Sequence, residues 1–112
     1  MRLRLAVLLI LGCGFLGAQM DPLHHLRFQV AQNPVNADAR LNLAYQLMLS
    51  GKYSEALSHY EALLHQDPKH EAAMTGVLWA LQSSGKYRAS SLRADEFLSS
   101  TSDPSPILNY KA

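Results

Sequence analysis

Apolar residues recur along most of this chain at spacings of 3 and 4, and the segments that carry this period are cut apart by Pro and Gly. That is the signature of successive amphipathic helices. Leu23, Leu26 and Val30 predict a first helix over residues 20–33, with Asp21 as its cap and Pro22 at its first position, where a missing N–H costs nothing. Asn33-Pro34 ends it, because a residue before proline is pushed out of the α region. A second helix is predicted over 37–50, capped by Asn36 and stopped by Gly51. Leu43, Ala44 and Leu47 are its core candidates, flanked by Leu41, Tyr45, Met48 and Leu49, so it needs cover on more than one side. Ser54 is expected to cap a third helix reaching Gln66, with Glu55 suiting the helix dipole and Ala56, Leu57, Tyr60, Leu63 and Leu64 on its apolar face. After Asp67-Pro68 the pattern predicts a fourth helix over 71–84 and a fifth from Arg88 to about Ser99, separated by Gly85. The turn-rich stretch 99–106 closes the helical region. Ile107, Leu108 and Tyr110 then form either a folded-back cap or a frayed tail.

The punctuation is periodic. Gly51-Lys52-Tyr53 returns 34 residues later as Gly85-Lys86-Tyr87, and Pro34 and Pro68 keep the same interval. A fixed period of this size marks stacked supersecondary units, each a helix pair that cannot bury its apolar face alone. The small Ala44 and Ala56 permit close helix approach, and Tyr53 and Tyr87 are placed to wedge between adjacent pairs. The phase reaches back through Pro34, so the first helix is expected to be the second half of a degenerate unit.

Residues 37–70 resemble a tetratricopeptide repeat through Leu43, Ala44, Gly51, Tyr53, Ala56, Tyr60 and Pro68. Residues 71–104 resemble one more loosely through Val77, Leu81, Gly85, Tyr87 and Phe97. Departures are Arg40 where a large aromatic is usual, Leu47 for a Tyr, Ser90 for a small Ala, and Asp103-Pro104 two residues late. The resemblance implies an all-α, short α-solenoid of antiparallel helix pairs, about five helices after an N-terminal signal segment. The expected organisation is a signal peptide at 1–18, a half repeat at 19–36, repeats at 37–70 and 71–104, and a tail at 105–112.

By the same resemblance the first helix of each unit lines a concave face. Leu41, Tyr45 and Met48 from one unit and Thr75, Trp79 and Gln82 from the next are the expected partner-binding groove, with Asp38, Leu49, Ala72 and Ser83 alongside. Tyr45 and Trp79 are 34 apart and should be neighbours. Aromatic anchors dominate protein interfaces, and Met adapts to irregular partners. The competing reading buries these side chains as core under the first helix or the tail. Some tetratricopeptide repeats clamp a peptide carboxylate with paired Lys and Asn. Asn42 fits one such position, but Gly76 stands at its counterpart and Leu41 and Thr75 at candidate basic positions, which argues against a clamp.

Composition changes the picture at the N-terminus. Arg2 and Arg4 precede an almost wholly apolar run over 5–18 that ends in Gly17-Ala18, the pattern of a secretory signal peptide and too short for a membrane-spanning helix. Cleavage after Ala18 would leave 94 residues. Ile10-Leu11-Gly12-Cys13 alternatively resembles a bacterial lipobox, in which the only cysteine becomes the lipidated first residue. The expected location is therefore outside the cytoplasm, in the bacterial periplasm, extracellular or at the cell surface. The net charge of +1 and the lack of a basic stripe argue against nucleic acid.

No phosphate loop, nucleophile elbow or His-Glu-x-x-His motif is present, so neither an enzyme nor a cofactor is expected. The histidines lack metal-ligand spacing, so no metal is expected, and they read as residues of solvated helix faces. The function expected is a non-enzymatic protein–protein interaction module that binds a peptide or helix in its groove. The alternative is a self-associating assembly subunit that uses exposed solenoid ends.

Overall fold

The computed structural model describes residues 22–110. Within them lie helices α1 (Pro22–Gln32), α2 (Ala37–Leu49), α3 (Tyr53–Gln66), α4 (Glu71–Ser83), α5 (Tyr87–Leu98) and the single turn α6 (Ser105–Leu108). Consecutive helices pack on one another, and α4 also touches α2 and α6. This is a short all-α solenoid. The expected signal segment, Cys13 and the Asp21 cap fall outside the described residues.

The glycine turns are built alike. Gly51 and Gly85 have φ of 76° and 78°, a conformation that strains residues with a Cβ. Each sits just past a helix end in a Schellman motif. Lys52 N–H donates to the Leu47 carbonyl at 2.9 Å and Gly51 N–H to Met48 at 3.0 Å; Lys86 and Gly85 do the same to Leu81 and Gln82 at 2.8 and 2.9 Å. The motif corrects two helix starts. The chain leaves the turn already poised for helix, so α3 and α5 begin at Tyr53 and Tyr87, with Lys52 and Lys86 as caps that lend no side-chain bond. Ser54, expected as a cap, lies inside the first turn of α3, and α5 starts ahead of Arg88.

The proline turns are also alike. Asn36 N–H donates to the Asn33 carbonyl and His70 N–H to Asp67, each pair bracketing a Pro. As expected, Asn36 caps α2, its Oδ1 accepting from Ala39 N–H at 3.2 Å. His70 does the same for α4, its Nδ1 accepting from Ala73 N–H at 3.2 Å. A histidine read as part of a solvated face is thus a helix cap.

The core follows the period. Leu43 and Leu47 of α2 and their counterparts Val77 and Leu81 of α4 are all buried, joined by Ala56, Tyr60 and Leu63 of α3 and Ala94 and Phe97 of α5. Helix α4, apolar around most of its girth, is sandwiched and buries seven residues. The tail is a cap, with Ile107 fully buried and the Tyr110 carbonyl accepting from Gln82 Nε2 at 2.9 Å. At that end Tyr87 is 65% exposed, whereas its counterpart Tyr53 packs against the core. Tyr87 does not wedge as expected, because among the described residues no helix pair covers it.

Ion pairs tie neighbouring second helices. Arg27 of α1 makes a two-pronged bridge to Glu55 of α3, both bonds 2.8 Å, and Arg93 of α5 reaches Glu61 of α3 at 2.6 Å. Arg40, standing where an aromatic was expected, donates from Nη2 to the Pro34 carbonyl at 3.0 Å and from Nη1 to His59 Nδ1 at 3.1 Å. Burial, then the Arg40 charge, hold His59 below its usual range, against an opposing pull from Glu55. The hydrogen bond from Arg27 holds Glu55 below the usual carboxylate range.

Two predictions follow from this packing. Ser90, the 34-residue counterpart of Ala56, is fully buried and its hydroxyl has no partner. Ser90→Ala should therefore stabilise the fold by about 1–3 kcal/mol and Ala56→Ser destabilise it, read as shifts of the urea midpoint; a less stable Ser90→Ala contradicts the packing. The second concerns acid. A histidine depressed in the fold binds protons more readily when unfolded, so its contribution is present above its unfolded value of about 6.5 and is lost as pH falls below it. Glu55 acts in the same direction in the carboxylate range below. Stability should fall as pH drops below about 6.5, and His59→Gln should flatten that slope. An unchanged slope in the variant would exclude His59 as the source.

Candidate functional site

The first helices of the two units, α2 and α4, lie side by side and form the walls of a groove of about 470 Å³. From α2 it is lined by Asp38, Leu41, Asn42 and Tyr45, and from α4 by Ala72, Thr75, Gly76 and Trp79. Those positions are one helical turn apart within each helix, so their side chains share a face. Tyr45 and Trp79 meet across the two helices with ring centroids 5.8 Å apart and planes tilted by 45°, a geometry aromatic pairs favour. Tyr45 keeps 48% of its surface exposed.

The floor is made by Tyr60 of α3, which runs beneath both walls. Its ring lies against the bare backbone of Gly76, so close that a Cβ there would collide with ring carbons. Gly76 therefore stays glycine despite the cost of glycine inside a helix, about 1 kcal/mol relative to Ala. Burial raises the Tyr60 hydroxyl to about 12, and the nearby hydroxyls of Tyr110 and Tyr45 add to the effect. The far wall is Tyr110, held by the Gln82 amide.

Of the six side chains expected to form the groove, Leu41, Tyr45, Thr75 and Trp79 line it. Met48 does not. It shares the Leu41–Tyr45 face, one turn beyond Tyr45, but is 3% exposed and belongs to the core cluster, so the groove stops short of it. Gln82 serves the groove indirectly by fixing the tail. Thr75 commits its hydroxyl proton to the carbonyls of Glu71 and Ala72 at 3.2 and 3.0 Å. Four contributors were not in the expected set: Asn42, Tyr60, Gly76 and Tyr110. Tyr60 had looked like ordinary core from its spacing. The available signal was Gly76 itself, a glycine mid-helix where the preceding unit has Asn42. Among the described residues no group of three or more His, Cys, Asp and Glu side chains is assembled to hold a metal.

The helix pairs, the 34-residue turn register and the face formed by α2 and α4 can be set beside known proteins. The comparison with curated proteins gave no match. A family profile described as tetratricopeptide repeat matches residues 17–94, from ahead of α1 into α5. That match takes in α1, whose end at Pro34 is in phase with Pro68. It spans well over half of the sequence, and the chain belongs to the tetratricopeptide repeat family.

Proposed function

We propose that the protein is an exported adaptor that holds a partner peptide or helix in the groove between α2 and α4. Tetratricopeptide repeats generally mediate protein–protein contacts and are typically non-enzymatic. The observation that carries the reading is the Tyr45–Trp79 pair, set beside an open hollow on the face that the core does not use. A rigid aromatic pair gives large contact area at low entropic cost, which is what an anchor site needs. Export is supported by the basic-then-apolar leader over 1–18, whose removal would expose Gln19 as the first residue. A lipidated Cys13 would place the groove at a membrane surface instead.

One observation favours self-association as a second reading. Tyr87 and Leu92 on α5 are 65% and 59% exposed at an end of the array. A copy docking there would make the mass in solution depend on concentration, so a constant mass over a hundredfold range by sedimentation excludes it.

Trp79→Ala should abolish capture of partners by the intact protein while circular dichroism reports unchanged helicity, since Trp79 is only half-buried. Undiminished capture by that variant would refute the groove. Intact-mass measurement of the purified chain separately reads the N-terminus, and retention of residues 1–18 contradicts export by cleavage.

A further inference from the structure

The polar chemistry of the groove has a sign. Asp38 is the one charged side chain that lines it, and no Lys or Arg does. Four aromatic rings, Tyr45, Tyr60, Trp79 and Tyr110, line the same hollow. Aromatic faces carry negative electrostatic potential and attract cations, more strongly where water is excluded. Of the remaining polar groups, the Asn42 amide and the tyrosine hydroxyls are neutral and can donate or accept. The Thr75 hydroxyl has donated its proton to its own helix and presents only lone pairs. The Tyr110 and Tyr45 hydroxyls lie near enough to that of Tyr60 to add to burial in opposing its ionisation. An anion entering here meets a carboxylate and ring faces, with only neutral donors such as the Asn42 amide and the tyrosine hydroxyls to receive it. It finds no cation, and Gly76 supplies no amide opposite Asn42.

We propose that the groove receives a cationic side chain, the guanidinium of Arg or the ammonium of Lys, carried by the partner peptide. The cation lies against the aromatic rings and pairs with the Asp38 carboxylate, while the aliphatic stem of the same side chain covers Leu41. Arg suits the site best, because its planar head stacks on aromatic faces and can give two parallel hydrogen bonds to a carboxylate. This inference rests on the reading of the groove as a peptide site.

Trp79 is the only tryptophan in the chain, so its indole N–H resonance reports this groove alone. The ¹⁵N-labelled intact protein is titrated with Nα-acetyl-arginine amide, with the neutral near-isostere Nα-acetyl-citrulline amide, and with Nα-acetyl-glutamate amide. The arginine probe is expected to shift the resonance saturably and to bind at least about fivefold more tightly than citrulline, with glutamate inactive; a cation–π contact of about 1 kcal/mol corresponds to that ratio. Asp38→Asn, which keeps the side-chain shape, should reduce the arginine preference about threefold or more, with Tyr45→Leu as a second variant that removes a ring. Equal binding of arginine and citrulline, or a preference untouched by both variants, overturns the proposal. Selection of random displayed peptides on the same protein separates the two readings. Peptides retained by wild type, lost by Trp79→Ala and poor in Arg and Lys overturn the cation site and leave the peptide groove standing. An arginine response with no peptide retained upholds the cation site and removes the peptide groove.

Discussion

Two glycines in the left-handed conformation set the register on which everything else in this molecule depends. At Gly51 and Gly85 the chain reverses with two carbonyls of the preceding helix's last turn accepting from the backbone N–H groups of the turn. No side chain caps the helix that follows, which starts at once. The same reversal at the same phase gives two helix pairs that differ by a near-constant displacement. Residues 34 apart therefore face the same way, and Tyr45 of one pair meets Trp79 of the next. Loosening either turn would shift a whole helix along its axis and part the two rings.

The two sides of the solenoid then take different chemistry. The side that carries α1, α3 and α5 is laced by the pairs Arg27–Glu55 and Glu61–Arg93 and by the Arg40–His59 contact. These groups are partly exposed, so each pair contributes little alone. Their larger effect is to match one helix of a unit to the next, since a slipped neighbour would leave an arginine head without its carboxylate. The opposite side has no such lacing. It keeps Tyr45, Trp79 and Leu41 at the surface, and Gly76 lets Tyr60 rise from α3 to close the floor. A glycine mid-helix costs stability, and here the cost coincides with the shaping of a hollow rather than with a turn.

Much of this was legible in the sequence, and the reasons differ by residue. Turns and phase could be read because Gly, Pro and Asn act locally, through φ and capping, and need no tertiary context. Leu43, Leu47 and Ala44 were recognisable as core from period alone. Met48 was expected in the groove because it follows Tyr45 by one turn on the same face, and spacing does not tell which part of an apolar stripe neighbouring helices cover. Ser54 looked like a cap because Ser caps helices, but the glycine turn had already satisfied the backbone. His70 and His59 looked solvated because what they do depends on a backbone N–H and an arginine brought to them by folding. Tyr87 shows the limit of repetition, as a sequence echo of Tyr53 that no helix pair among the described residues covers.

The C-terminal segment ties stability to the groove. Ile107 fills the space that a further helix would occupy against α5, and the same few residues carry Tyr110 to the rim of the groove. The Gln82 amide joins the two roles, since it sits on α4 one turn beyond Trp79 and holds the Tyr110 carbonyl at 2.9 Å. The helix pairs among the described residues have few neighbours, and each is stabilised by the interfaces on either side. A cap that is also a wall resolves this economically. Detaching it would expose Ile107 and at the same time remove one ring from the hollow, so the capped array and the complete groove are one state.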